Sequence, residues 1–179
     1  SEMCIRDRVL GRRRSRREFS DQPLDLPLLS TLLWACAGQN GADGRRTVPS
    51  ALDSREVECF VFDQKGVWSY CAETHALKLL AEGDHRSATT AGQDFVSLAP
   101  VTLIFAVNQA KTGRISNGRA GAICQSVDVG VMVQNALLAC SAMGLAAVPR
   151  AWFEPQDVLG AAGLKSYDPQ MAVTVGFPQ

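Results

Sequence analysis

Between residues 126 and 149 the chain reads SVDVGVMVQNALLACSAMGLAAVP, and this stretch restricts the fold more than any other. From 127 to 143 apolar residues fall on every side of a 3.6-residue period, with Gln134, Asn135 and Ser141 as polar interruptions in its body. A helix of that kind belongs in a core. Ser126 suits an N-cap with Asp128 in the first turn, and Gly144 followed by Pro149 predicts the end. A membrane span is not expected, because a bilayer takes roughly 20 apolar residues and this stretch carries two amides near its middle. Buried amides need partners, so Gln134 and Asn135 are expected to bond neighbouring backbone or a second subunit.

A chain of 179 residues, 46% of them hydrophobic, suffices for one globular domain. Eighteen basic residues balance eighteen acidic ones, so no global charge draws the chain to nucleic acid or an anionic membrane. The six cysteines form no CxxC pair and read as buried small hydrophobes in a reducing compartment, not as a disulfide framework. The opening SEMCIRDR fits nothing that follows and resembles translated adapter sequence. Residues 1–8 are therefore expected to be a non-native leader and 9–179 a single domain. With no signal peptide in the chain as given, the expected location is the cytoplasm, with the native N-terminus missing.

Five arginines crowd a six-residue window around Ser15 in the run VLGRRRSRREF. Guanidinium forks and a serine hydroxyl suit a phosphate group, and Phe19, Ser20 and Pro23 turn the chain onward, so the run reads as a pocket wall. The alternative is a solvated basic arm or a nucleic-acid binder, against which the neutral net charge and the lack of interleaved aromatics count. Residues 24–38 show helical spacing at Leu28, Leu29, Leu32, Leu33 and Cys36, with Gly38 as the stop and Trp34 expected in the core. Residues 38–56 lack periodic apolar signal, and a loop of that length in a compact domain is usually functional.

Residues 57–63 and 67–70 predict a strand hairpin across Gln64, Lys65 and Gly66. Residues 75–80 are too short to assign, and 83–99 suit a helix ended by Pro100. VTLIFAV at 101–107 reads as a central strand, 108–125 as a polar loop, 156–162 as a short helix and 172–177 as a final buried strand. Helices and strands are not strictly interleaved. The fold class is thus α+β, a sandwich of helices on a small mixed sheet around a long buried central helix.

The chain has no GxGxxG and no Walker loop. No serine sits in a GxSxG elbow, and His75 and His85 lack a second ligand at metal spacing. Few acids or nucleophiles beside a phosphate-ready pocket point to a phosphorylated organic cofactor that carries the chemistry.

GRRRSRREFS, LLWACAGQNGADGRRTVPSA, VDVGVMVQNALLACSAMGL and VTVGFP, in that order, resemble the nitroreductase family of flavoproteins, and within it the compact branch related to azoline-forming dehydrogenases. The resemblance implies an α+β homodimer with FMN at the subunit interface. By position, Arg13, Ser15 and Arg17, flanked by Arg14, match the family's motif for the FMN phosphate and the polar ring edge. Pro49, Ser50 and Ala51 match the loop that reaches the flavin from the other subunit. Val148, Pro149, Arg150 and Ala151 match the segment whose backbone lies along the ring. Two positions depart from the family's amides: either Asp53 accepts from the flavin N3–H and Arg55 near N1 and O2 stabilises the anionic reduced flavin, or both turn out to solvent.

The activity implied is transfer of hydride from NAD(P)H through FMN to a nitroaromatic or quinone. Loop 108–125, with Asn108, Gln109, Lys111 and Arg114, is expected to set acceptor choice. A dehydrogenase of azoline-type substrates would use Lys and Tyr side chains, and none of Lys65, Lys78, Lys111, Lys165, Tyr70 and Tyr167 is placed by the sequence for that role, which ranks this alternative lower. A flavin-binding module without turnover is the third alternative.

Overall fold

The computed structural model describes residues 2–115 and 118–179. Helix α1 (Glu2–Arg12) contains most of the expected leader, and helix α2 (Leu26–Ala37) follows. The Asp25 side chain caps α2 by accepting the Leu28 N–H at 2.9 Å. Strands β1 (Val57–Asp63), β2 (Gly66–Cys71) and β3 (Ala76–Glu82) form a meander, and a short helix α3 (Asp94–Leu98) leads into β4 (Val101–Asn108). Helix α4 (Arg119–Met143), strand β5 (Ala146–Arg150), helix α5 (Pro155–Ala162) and strand β6 (Tyr167–Gly176) complete the chain.

The six strands form one sheet in the order β3-β2-β1-β4-β6-β5. Its pairings are antiparallel, and the parallel contact is an isolated bridge between Ser15 and Ala147 beside β5. Strand alternation divides the core between two faces. Cys59, Val61, Leu103, Phe105 and Val173 pack with Leu32, Leu33, Val133 and Leu137 from α2 and α4. Phe60, Phe62, Ile104 and Ala172 pack with Val158 and Ala162 of α5 on the other side. This is the expected α+β sandwich, except that its strands pair antiparallel where a mixed sheet was expected, and β4, buried on both faces, is its centre.

Helix α4 begins seven residues before the expected N-cap, so Ser126 lies inside it and residues 119–125 are helical, not loop. In RAGAICQ the small residues Ala120, Gly121 and Ala122 give only a weak periodic signal for this extension. Gly144, left-handed at φ 74°, ends the helix as predicted. By length and composition α4 could span a bilayer, yet one of its faces is packed against α2 and the sheet. Asn135 donates to the carbonyls of Ala35 and Thr47 at 3.0 and 3.3 Å, whereas Gln134 is exposed.

Other expectations need correction. Residues 83–99 are not one helix: a 3-10 turn at Arg86–Thr89 is separated from α3 by left-handed backbone at Ala91 and Gly92. Residues 75–80, too short to assign from sequence, fall largely within β3, an edge strand with two charged side chains, Lys78 and Glu82, and little buried surface. Trp34 is 45% exposed, with its indole N–H on the Gln39 carbonyl at 2.7 Å. Residues 146–150 were not recognised as a strand. Positions 116 and 117 of the expected acceptor loop lie outside the described residues, and 109–114 form a 3-10 helix. Cys36, Cys59 and Cys140 are buried, Cys71 and Cys124 half-buried and Cys4 exposed.

Leu103 is fully buried where β4 meets both β1 and β6. Leu103→Ala is expected to lower unfolding free energy by about 2–5 kcal/mol, read from the urea midpoint at unchanged m-value.

Candidate functional site

The basic run is ordered backbone laid beside β5. After α1 ends, the Arg16 N–H donates to the Ala147 carbonyl at 3.0 Å, and the Ser20 N–H to Phe177 at 2.9 Å, with Phe19 fully buried between. Arg12, Arg13, Arg14 and Arg16 line a cavity of ≈ 500 Å³ whose other wall is Leu137, Cys140 and Leu145. Arg14 donates to the carbonyls of Gly11 and Arg13 at 3.0 and 2.8 Å. Ser15 and Arg17 are exposed and off the cavity wall, while Arg12 and Arg16, in the same window, are on it. Among the described residues none of these five arginines has an acidic partner within ion-pair distance. Unbalanced guanidinium groups over one wall and apolar side chains over the other fit a phosphate-bearing organic cofactor such as FMN.

The Pro49–Ser50–Ala51 loop sits at the other half of α4. Three of its non-glycine residues, Leu52, Asp53 and Arg55, are left-handed with φ of 52°, 51° and 50°. Such backbone costs roughly 1–3 kcal/mol per residue and persists only where surrounding contacts fix it. Those contacts are present. The Ala51 N–H donates to Asp128 of α4 at 2.7 Å, and the Arg55 N–H to the Ser50 hydroxyl at 2.9 Å. The hydroxyls of Ser50 and Ser54 both donate to Glu56 Oε2, the first at 3.3 Å. Glu56 is fully buried, and among the described residues its Oε1 has no hydrogen-bond partner.

Asp53 and Arg55 bind each other, Nε to Oδ1 at 2.7 Å and Nη2 to Oδ2 at 3.2 Å. The guanidinium hydrogen bond holds the Asp53 carboxyl below its ordinary range, and the carboxylate raises Arg55 in turn. Asp53 is the more exposed partner, 67% against 34% for the Arg55 side chain. Pro49, Ser50 and Arg55 line both a cavity of ≈ 210 Å³ and a more open groove of ≈ 470 Å³, and Asp53 lines only the groove.

On β5, Val148 is buried and Pro149 half-buried, and Ala151, just past the strand, is exposed. Arg150 turns inward, 5% exposed, donating to Thr174 Oγ1 and to the Thr89 carbonyl at 2.9 Å each and to the Trp152 carbonyl at 3.2 Å. Burial lowers its pKa to about 10. Its side chain thus faces away from the arginine cavity, which receives Ala147 of the same strand.

Beyond these residues, Lys111 and Tyr167 converge on Glu58. The carboxylate accepts from Lys111 Nζ at 2.8 Å, Tyr167 OH at 2.9 Å and Asn108 Nδ2 at 3.0 Å. Burial pushes the Glu58 pKa up, but the hydrogen bonds from Lys111, Asn108 and Tyr167 outweigh it and the net shift is down. Exposed His75 bridges the hydroxyls of Ser30 and Tyr70 at 2.7 Å each, and half-buried His85 bonds the Glu82 carbonyl. Sequence reasoning missed Glu56 and took Asp128 as a first-turn residue. A carboxylate on the inward stripe of a buried helix was the available signal for Asp128. For Glu56 there was none.

The chain belongs to the nitroreductase family, whose model matches residues 10–177. It is 32% identical over 177 residues to a Methanocaldococcus jannaschii protein provisionally designated a nitroreductase, a match spanning 94% of this chain and 88% of the relative. A Ralstonia eutropha structure of the same designation superposes with a TM-score of 0.90 at 34% identity, over 97% of this chain and 82% of that one. The Escherichia coli microcin synthetase complex with truncated pro-MccB17 bound shares the fold, with a TM-score of 0.82 at 19% identity over 90% of this chain and 67% of that one. Family membership makes the protein an oxidoreductase.

The Glu58 shift has a measurable consequence. Because its folded-state pKa lies below the unfolded value near 4.5, the stabilisation is complete above that pH and is lost as pH falls through the folded value. Glu58→Gln is expected to flatten the loss of stability on acidification below about pH 4.5, measured by urea unfolding across the acid range.

Proposed function

We propose that the protein is an FMN-dependent oxidoreductase that moves hydride equivalents from NAD(P)H to an electron-poor small molecule, a quinone or nitroaromatic, and that it works as a homodimer. The observation that carries this reading is the cavity beside β5, lined on one side by arginines that have no acidic partner among the described residues and on the other by apolar side chains. FMN, when bound, supplies a centre that accepts and returns hydride. Arg13 and Arg14, with Arg12 and Arg16 on the same wall, would hold its phosphate, Ser15 and Arg17 lying off that wall. The backbone of residues 148–151 would flank the ring, and Pro49, Ser50 and Ala51, with Asp53 and Arg55, would close the site from the partner. We read residues 9–179 as the native domain and, from the buried thiols of Cys36, Cys59 and Cys140, a reducing compartment such as the cytoplasm.

Two features support the dimer. The face of α4 turned from the sheet is exposed along Ile123, Val127, Gly130 and Gln134. Within one chain, Asp128 at the Pro-Ser loop and Cys140 at the arginine cavity lie about 18 Å apart along the helix axis. Antiparallel pairing of two α4 helices about their middle would bring each chain's loop toward its partner's cavity.

The purified protein is expected to be yellow, to release FMN at about one per subunit on heating, and to oxidise NAD(P)H when a quinone is added. A colourless protein that takes up no added FMN would refute the reading. Arg13→Ala removes a charged hydrogen-bond donor of about 1.5–3 kcal/mol, so FMN binding should weaken by at least about tenfold in a fluorescence titration.

The Lys111, Tyr167 and Glu58 cluster favours a second reading, a dehydrogenase of azoline-type substrates. In that case Lys111→Met should abolish oxidation of a thiazoline peptide and spare quinone reduction.

A further inference from the structure

We infer that Glu56 and Asp128 are positioning residues, two buried carboxylates that clamp the Pro49–Ser50–Ala51 loop into its strained shape and thereby set cofactor affinity. The inference rests on the FMN reading for its ligand. Neither side chain lines the arginine cavity, and neither belongs to the residues matched to the flavin.

The two carboxylates grip the loop from opposite sides. Asp128, 6% exposed on the inward stripe of α4, takes the Ala51 N–H at 2.7 Å, fixing the loop against the helix. Glu56, at the mouth of β1, takes the hydroxyls of Ser50 and Ser54, and Ser50 in turn accepts the Arg55 N–H. Every left-handed residue of the loop, Leu52, Asp53 and Arg55, lies between these anchors. Among the described residues no lysine, arginine or histidine lies within ion-pair distance of Glu56, and Glu56 Oε1 is buried without any hydrogen-bond partner. A wholly buried carboxylate without a cation is a poor stabiliser of a fold, and removing it for an apolar side chain often costs little. What Glu56 does hold is the conformation of Ser50. Asp128 adds that the same helix whose outer face is free for a partner also fixes the loop that would reach that partner, so loop shape and subunit pairing share one support.

The test compares Glu56→Ala, Glu56→Gln and Asp128→Ala with Val158→Ala, which opens the core beneath α5 on the far side of the sheet. Two quantities are read: hydrogen exchange of the Ala51 amide in apoprotein, and the FMN Kd by fluorescence quenching. In the wild type the amide is expected to exchange slowly. Asp128→Ala should abolish that protection, Glu56→Ala should weaken it, and both should raise the Kd at least tenfold, with Glu56→Gln recovering most of the loss. Val158→Ala should lower Tm while leaving both readouts unchanged. Wild-type FMN affinity in Glu56→Ala or Asp128→Ala, or an equal loss in Val158→Ala, would overturn the inference. A wild-type protein that binds no FMN would refute the cofactor reading instead. Amide exchange would then decide the clamp alone, with unchanged protection in both alanine variants overturning it.

Discussion

The hold of helix α4 on the rest of the chain is polar as well as apolar. Val129, Val133, Ala136 and Leu137 bury one stripe against the sheet and α2, which supplies the bulk of the hydrophobic stabilisation. Within that stripe Asp128 takes the Ala51 N–H, and beside it Asn135 donates to the carbonyls of Ala35 and Thr47. These bonds tie the end of α2 and the long connection after it to the helix. A buried polar group left unpaired is expensive, so this pairing fixes the loop more narrowly than apolar contact would. The arginine cavity depends on the other end of α4, where the Ser141 hydroxyl donates to the Val9 carbonyl of α1.

The site is thus two surfaces held by one rod. Near the C-terminal end, the last turn of α1 and the extended residues 13–17 lie along β5 and turn guanidinium groups over an apolar floor. Near the middle, a strained loop projects Pro49, Ser50 and Arg55 into a separate pair of hollows. The exposed side of α4 has aliphatic side chains at Ile123 and Val127 and a glycine at Gly130, a surface suited to close approach of another helix.

What could be read in advance follows the range of the physics involved. Helix α2, the β1–β2 hairpin, β4 and α5 carry their signal locally, in apolar spacing and turn residues, and they stand close to where expected. Strand β5 holds only five residues and includes a proline, and its pairing with β6 is a tertiary fact that no local pattern announces. Trp34 fails as a core residue because it lies off the buried stripe of α2 and finds a carbonyl for its indole outside the core. At the site, the arginine window was legible as a pocket wall by charge density. Which arginines face the cavity depends on the twist of an irregular segment, so Arg12 and Arg16 take places expected of Ser15 and Arg17. Arg150 is inward because strand alternation at Ala147 and Val148 leaves it no other face.

The most direct test of the two-surface account is sedimentation equilibrium combined with FMN titration on a Val127→Glu variant, which places a carboxylate on the exposed stripe of α4 without touching either lining surface. If the site is completed by a second copy, the wild type sediments as a dimer binding about two FMN, and the variant is a folded monomer whose FMN affinity falls by orders of magnitude. A monomeric variant that binds one FMN with wild-type affinity would show that a single chain holds the whole site, and would contradict the account.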